Sequence, residues 1–156
     1  MVLATHALVG AVIGKNIQNP WIIIAISLSV HYILDSFRHG EYLELFDSAE
    51  ALKKSYWKVT LDLAIAAAII FSLIYFEKLD LTTIRNTLIG VFASLFPDLL
   101  TLLYWLFRWK FLEKIYKFHS WIHRFPRTSP NRLWNFRNAR NDIILSLIAI
   151  LILIIF

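Results

Sequence analysis

Five apolar stretches joined by polar, mostly basic connections predict an all-α protein: a polytopic membrane helical bundle of about five membrane-embedded helices, with one or two amphipathic helices on its surface. Composition agrees, since 58% of the 156 residues are apolar and the mean hydropathy is +0.60. Several of the runs approach the roughly 20 residues that cross a bilayer. No long repeat or low-complexity linker divides the chain, so residues 1–156 read as a single integral-membrane domain. There is no cysteine, which excludes disulfides and thiolate metal sites and leaves nitrogen and oxygen as the only metal ligands.

The first stretch, residues 2–17, contains His6 and a small-residue face at Gly10 and Gly14 suited to close helix packing. It lacks a basic segment before its apolar run, so it reads as part of the fold and not as a cleaved signal. Asn19 is placed to cap a second helix with Pro20 at its first position, and residues 21–38 then return antiparallel to the first. Residues 40–55 mix acids with apolar positions at helical spacing, the pattern of an amphipathic surface helix with solvated acids. A third span is expected over 56–76 with Asp62 one turn inside it. A fourth covers 82–107 and carries Phe96-Pro97-Asp98, where proline bends the helix beside a carboxylate. Residues 108–140 hold nine of the sixteen lysines and arginines, and the last span is 141–156.

Basic residues concentrate in 108–140 and secondarily in 38–58, so both connections are expected on the cytoplasmic side of the inner membrane, with residues 16–20 and the last residue outside. No nucleic-acid partner is expected, because orientation and anionic lipid account for this basic excess. In that topology all five histidines fall in one leaflet with Asp35, Asp62 and Asp98. Ionisable groups inside spans are costly unless paired or metal-bound, and structural histidines would scatter in depth.

His31, Asp35 and His39 lie at strict four-residue spacing, which on a helix gives one polar stripe. Over that stripe the rise is about 12 Å, too long for one ion, so Asp35 is expected to be shared between two. His119 and His123 form a second pair at i, i+4, a ready bidentate claw. The expected metal ligands are therefore His6, His31, Asp35, His39, Asp98, His119 and His123, with Asp62 uncommitted and available as a base. So many ligands suit two ions, zinc for choice and manganese or iron as alternatives, with Asp35 as the bridge. Arg38, Arg124 and Arg127 flank the ligands; as juxtamembrane basic residues they are expected first to attract anionic lipid and set orientation, and the alternative is that they hold an anionic head group, since a guanidinium fork matches phosphate oxygens.

Thr5-His6-Ala-Leu-Val-Gly10, the H-x-x-x-D of His31 and Asp35, Pro97-Asp98 and the His119/His123 cluster together resemble the small inner-membrane predicted metal-dependent hydrolases of the LexA-regulated type. That family often has a second aspartate two residues after its proline-aspartate element, where this chain has Leu100. Its later histidine element usually reads His-Arg-Gly-x-Thr-His-Ser, where this chain has His119-Ser-Trp-Ile-His123-Arg124. The H-x-x-x-D element is also similar to one in zinc-dependent phospholipases C. What the resemblance implies is a metal-dependent hydrolase at the cytoplasmic membrane face, acting on a phosphoester of an amphiphilic anionic lipid or lipid-linked substrate. Two other classes fit membrane-bound histidine clusters. A di-iron oxidase or hydroxylase would use more histidines and adjacent pairs, and a metal or proton carrier would need ionisable residues through the whole membrane depth.

Overall fold

Side-chain caps set where several of the helices begin. In the computed structural model, which describes residues 2–40, 49–123, 125, 129, 131 and 134–156 (side chains of 49–55 excepted), these residues form six α-helices and no strand. They are α1 (Leu3–Asn16), α2 (Pro20–Ser36), α3 (Ala49–Glu77), α4 (Leu81–Phe107), α5 (Lys110–Ile122) and α6 (Phe136–Ile155). Asn19 caps α2 through hydrogen bonds from the Trp21 and Ile22 amides, with Pro20 in the first turn as its sequence position predicts. Asp80 caps α4 from the Thr82 and Thr83 amides, and Asn135 caps α6 from that of Asn138. The Thr83 hydroxyl and these amides hold the Asp80 carboxyl below the usual carboxylate range. At its far end α4 stops on Arg108 in the left-handed region (φ 53°), and the chain turns directly into α5.

Three helical segments are long and apolar enough to cross a membrane: Tyr56–Glu77, Leu81–Phe107 and Phe136–Ile155. The expectation of about five spans is corrected at α1 and α2. With 14 and 17 residues, they measure about 21 and 26 Å against a hydrocarbon thickness of about 30 Å. α1 reads as a span from composition because it is apolar, but its apolarity serves protein contact. It packs against α2, α3, α4 and α6, and buries Ala4, Ala7, Leu8 and Ala11 in a core shared with Ala66, Ile70, Ala149 and Leu153. A helix apolar on all sides belongs inside a bundle. The outer faces of α3, α4 and α6 instead present Phe71, Phe92 and Leu147, each at least 60% exposed, as lipid-facing helices do.

Two other boundaries differ. The amphipathic helix expected over 40–55 falls largely on residues 41–48, outside the described residues, and from Ala49 the chain is already in α3, continuous with the third span. The polar region expected over 108–140 contains α5, and its last residues are the first turn of α6.

The tightest packing is between α1 and α4. A Cβ on Gly10 would overlap the Gly90 carbonyl, one on Gly90 the Gly10 carbonyl, and one on Gly14 the Asn86 carbonyl, so only glycine permits these backbones to touch. On the same helix, His6 meets Asp35 and stacks on His31 of α2. Beyond Gly14, Lys15 binds Glu77 and the Leu153 carbonyl, joining α1 to α3 and α6.

Candidate metal centre

Asp35 lies in the last turn of α2, where the carbonyl end of the helix dipole disfavours negative charge, and it is fully buried. Such a carboxylate needs cationic or donor partners. Four imidazoles supply the surroundings. His6 Nε2 is 3.2 Å from Oδ1; His31 Nε2, His119 Nε2 and His123 Nε2 lie 3.1, 2.8 and 3.6 Å from Oδ2. His6 also stacks on His31 at a centroid distance of 4.2 Å, and His123 stacks on His119 and approaches His39, each at 5.1 Å. Asp98 completes the ring of groups, with Oδ1 at 3.8 Å from His119 Nε2.

Hydrogen bonds on the far side of the rings fix which nitrogen faces inward. His31 Nδ1 lies 2.7 Å from the Ser94 carbonyl, and His39 Nδ1 lies 2.8 Å from the Phe37 carbonyl. A carbonyl only accepts, so in both rings Nδ1 donates to it, which leaves Nε2 as the nitrogen that could ligate a metal. His119 Nδ1 lies 2.8 Å from Thr101 Oγ1, a hydroxyl that can donate or accept, so this bond holds the ring plane without fixing its tautomer. Metal-ligating histidines are held as His31 and His39 are, by an outer oxygen that sets tautomer and ring plane.

The inward-facing atoms fit a metal ion. Two ligand atoms on a tetrahedral ion, each about 2.0–2.1 Å from it, are about 3.3 Å apart, and His31 Nε2 and His119 Nε2 are separated by 3.4 Å. Both nitrogens also lie within 3.1 Å of Asp35 Oδ2, so a cation, whether a proton or a metal ion, would be shared among the three atoms. Asp98 Oδ2, also buried, has no hydrogen-bond partner among the described residues. Two groups of residues have ligand atoms within 4.8 Å of one another: His31, Asp35, Asp98 and His119, and Asp35, His39 and His123. Asp35 belongs to both, and either group could hold a metal ion.

The structure thus brings six of the seven expected ligands into these two groups and sets His6 beside them, on the other oxygen of Asp35. The route differs from the expected helical stripe. α2 ends at Ser36, so His39 stands on extended chain beyond the helix, and His123 stands just past the end of α5. Asp62 is not in either group. Its Oδ2 accepts the Ala4 amide at 2.9 Å and so caps α1 from the neighbouring α3. Arg124 and Arg127 lie outside the described residues. The Arg38 guanidinium donates to Asn138 and Asn131, each at 2.8 Å, and lies 5.7 Å from the Phe125 ring centroid.

Four supporting groups escape a reading of the sequence. Thr101 sits one turn after Asp98 on α4, a spacing that could have flagged it. The Ser94 carbonyl, one residue after the Ala93 carbonyl that Pro97 leaves without its helical donor, gives no signal in residue type. Tyr32 sets its ring edgewise to both His31 and His119. Asp142, a buried carboxylate inside an apolar helix and therefore conspicuous, accepts the Val2 amide at 3.0 Å and the Gly40 amide at 3.2 Å. With Asn141, which donates to the Arg38 carbonyl at 2.7 Å, it ties the His39 segment to α6.

Compared with known proteins, the chain matches no family model, no curated protein and no solved structure.

Proposed function

We propose that this protein is a membrane-bound, metal-dependent hydrolase whose site faces the cytoplasm and acts on a phosphoester of a lipid or lipid-linked substrate. The observation that carries the reading is the set of imidazole nitrogens turned on a single buried carboxylate, with His31 and His39 fixed from behind by main-chain carbonyls. Asp35, shared by both groups, is the natural bridge between two ions, for which zinc suits the nitrogen-rich set. Bound there, divalent metal supplies a Lewis acid for a phosphoryl oxygen and brings the pKa of a water to about 7. Asp98, 30% exposed and with one oxygen lacking a hydrogen-bond partner among the described residues, is a better candidate than Asp62 for taking the proton from water. The resemblance of the histidine and aspartate elements to the inner-membrane hydrolases supports the same reaction class, and the basic residues of 108–140 support the cytoplasmic side.

Element analysis of the purified protein, followed by a phosphoesterase screen with and without chelator, tests the proposal. Zinc or manganese together with chelator-sensitive release of phosphate is expected. Bound iron without hydrolysis would move the reading to oxidation, and no bound metal after loading with several divalent ions would overturn both.

A further inference from the structure

Beside the metal centre the surface carries two apolar cavities that share a wall. The larger, about 700 Å³, lies between α2 and α4 and reaches Leu81 at the start of α4. The smaller, about 410 Å³, lies among α2, α4 and α5 and reaches Leu100. Leu28 and Phe96 line both, so the two form one groove. From Leu81 to Leu100 the helix rises about 28 Å, nearly the full hydrocarbon thickness of about 30 Å.

The end of this groove lies against the site, although none of the metal-group residues lines it. Tyr32, Pro97 and Phe118 line the smaller cavity, and each is the sequence neighbour of a member of one metal group: His31, Asp98 and His119. The Tyr32 ring packs on Phe118 as well as on the two histidines, so the inner wall of the groove is also an outer wall of the centre. Lys114 lines the same end and adds positive charge there, and Arg85 lines the larger cavity toward Leu81, so it is the position of the metal groups beside Tyr32, Pro97 and Phe118 that sets the head-group end.

Resting on the hydrolase reading above, we infer that the groove holds the hydrocarbon chain of the substrate, and that the substrate is a long-chain polyprenyl phosphate whose head group sits at the metal centre. Length selects the chain. An acyl chain of a diacyl lipid reaches only the midplane, about 15 Å from the head group, and would leave the Leu81 end of the groove unused. A single polyprenyl chain longer than one leaflet fills it. Lys114 matches the anionic head at the site end. In the reaction the oxygen of water bonds to phosphorus, the bond from phosphorus to the prenyl oxygen breaks, and a proton from water ends on the prenyl alcohol, leaving inorganic phosphate.

The test uses the full chain in nanodiscs, with long-chain polyprenyl phosphate, geranyl phosphate and dioleoyl phosphatidic acid as probes. Binding is measured on chelator-treated protein and phosphate release on zinc-loaded protein. The long chain is expected to bind at least about tenfold more tightly than geranyl phosphate, since each buried methylene adds to affinity. Leu28→Trp and, separately, Phe96→Trp, which obstruct the junction of the two cavities, should lower the long-to-short ratio of kcat/KM about tenfold. Retained metal content in either variant shows that the centre has folded. Tight long-chain binding without phosphate release would uphold the groove and overturn the hydrolase reading. Phosphate release with equal kcat/KM for the long and geranyl substrates would uphold hydrolysis and overturn the groove. Preference for dioleoyl phosphatidic acid would overturn the polyprenyl assignment.

Discussion

At Asp35 the two carboxylate oxygens divide their histidine neighbours: Oδ1 faces His6, and Oδ2 faces His31, His119 and His123. A group shared in this way should matter more than any one of its partners. Asp35→Asn, which keeps the volume and removes the charge, is expected to lower the metal-to-protein ratio by more than His39→Ala or His123→Ala does. Full metal content in the asparagine variant would refute the bridge. Thr101 acts one atom further out. Thr101→Val should weaken metal binding about 10–100-fold, the usual cost of losing an outer partner of a ligating histidine, while Thr101→Ser restores it; competition against a chelator reads both. Asp62 separates two roles. As the cap of α1, Asp62→Ala should lower stability by about 1 kcal/mol and leave metal content unchanged. A catalytic base would instead show as a 10²–10⁴-fold loss in rate at unchanged stability. The ligand residue types were legible in the sequence because ionisable groups in apolar runs stand out. The proton positions were not, because they depend on main-chain carbonyls that no residue letter encodes.

Among the elements, α1 and α2 show where sequence reading falls short. Their apolarity and the Asn19-Pro20 punctuation located both helices to within a residue or two, yet composition does not tell lipid contact from protein contact. The Gly10 and Gly14 pattern did indicate a close helix face, and the partner it met is Gly90 and Asn86 of α4. Gly10→Val or Gly90→Val is expected to destabilise the fold by roughly 2–3 kcal/mol, the cost of overpacking an interface with no room for a methyl group. Thermal unfolding in detergent measures it, and a silent substitution would show that the backbones do not touch. The segment carrying His39 is held differently, by α6. Asp142→Ala removes the acceptor for both the Val2 and Gly40 amides. It should therefore reduce metal held by the His39 and His123 group while sparing the group of His31, Asp98 and His119, and calorimetric titration with zinc would resolve the two.

For the whole molecule, the expectation that the histidines gather with carboxylates is met in the two groups around Asp35, although the five-span topology it was argued from is reduced to three helices long enough to cross a membrane. His31 and His39 are eight residues apart, but they meet the centre from a helix end and from extended chain, so the helical stripe pointed to the right residues by the wrong geometry. Orientation itself is a prediction. Reporters at Ser129 and at Asn19 should read opposite sides, with Ser129 cytoplasmic, because the basic excess of 108–140 sets the direction of insertion. An external Ser129 would reverse the side of the site without separating its ligands.

The clamp made by Asp142 also bears on biogenesis. Every residue of the metal groups is synthesised before α6, yet the Gly40 amide beside His39 and the Val2 amide at the start of α1 are both tied to that helix. Translation proceeds at about 5–20 residues per second and delivers the ligands first. The nascent protein therefore holds its imidazoles before the frame that positions the His39 segment exists, and docking of α6 is the step that completes that frame. A chain arrested before residue 142 would leave the Val2 and Gly40 amides without this acceptor and the His39 segment without its clamp.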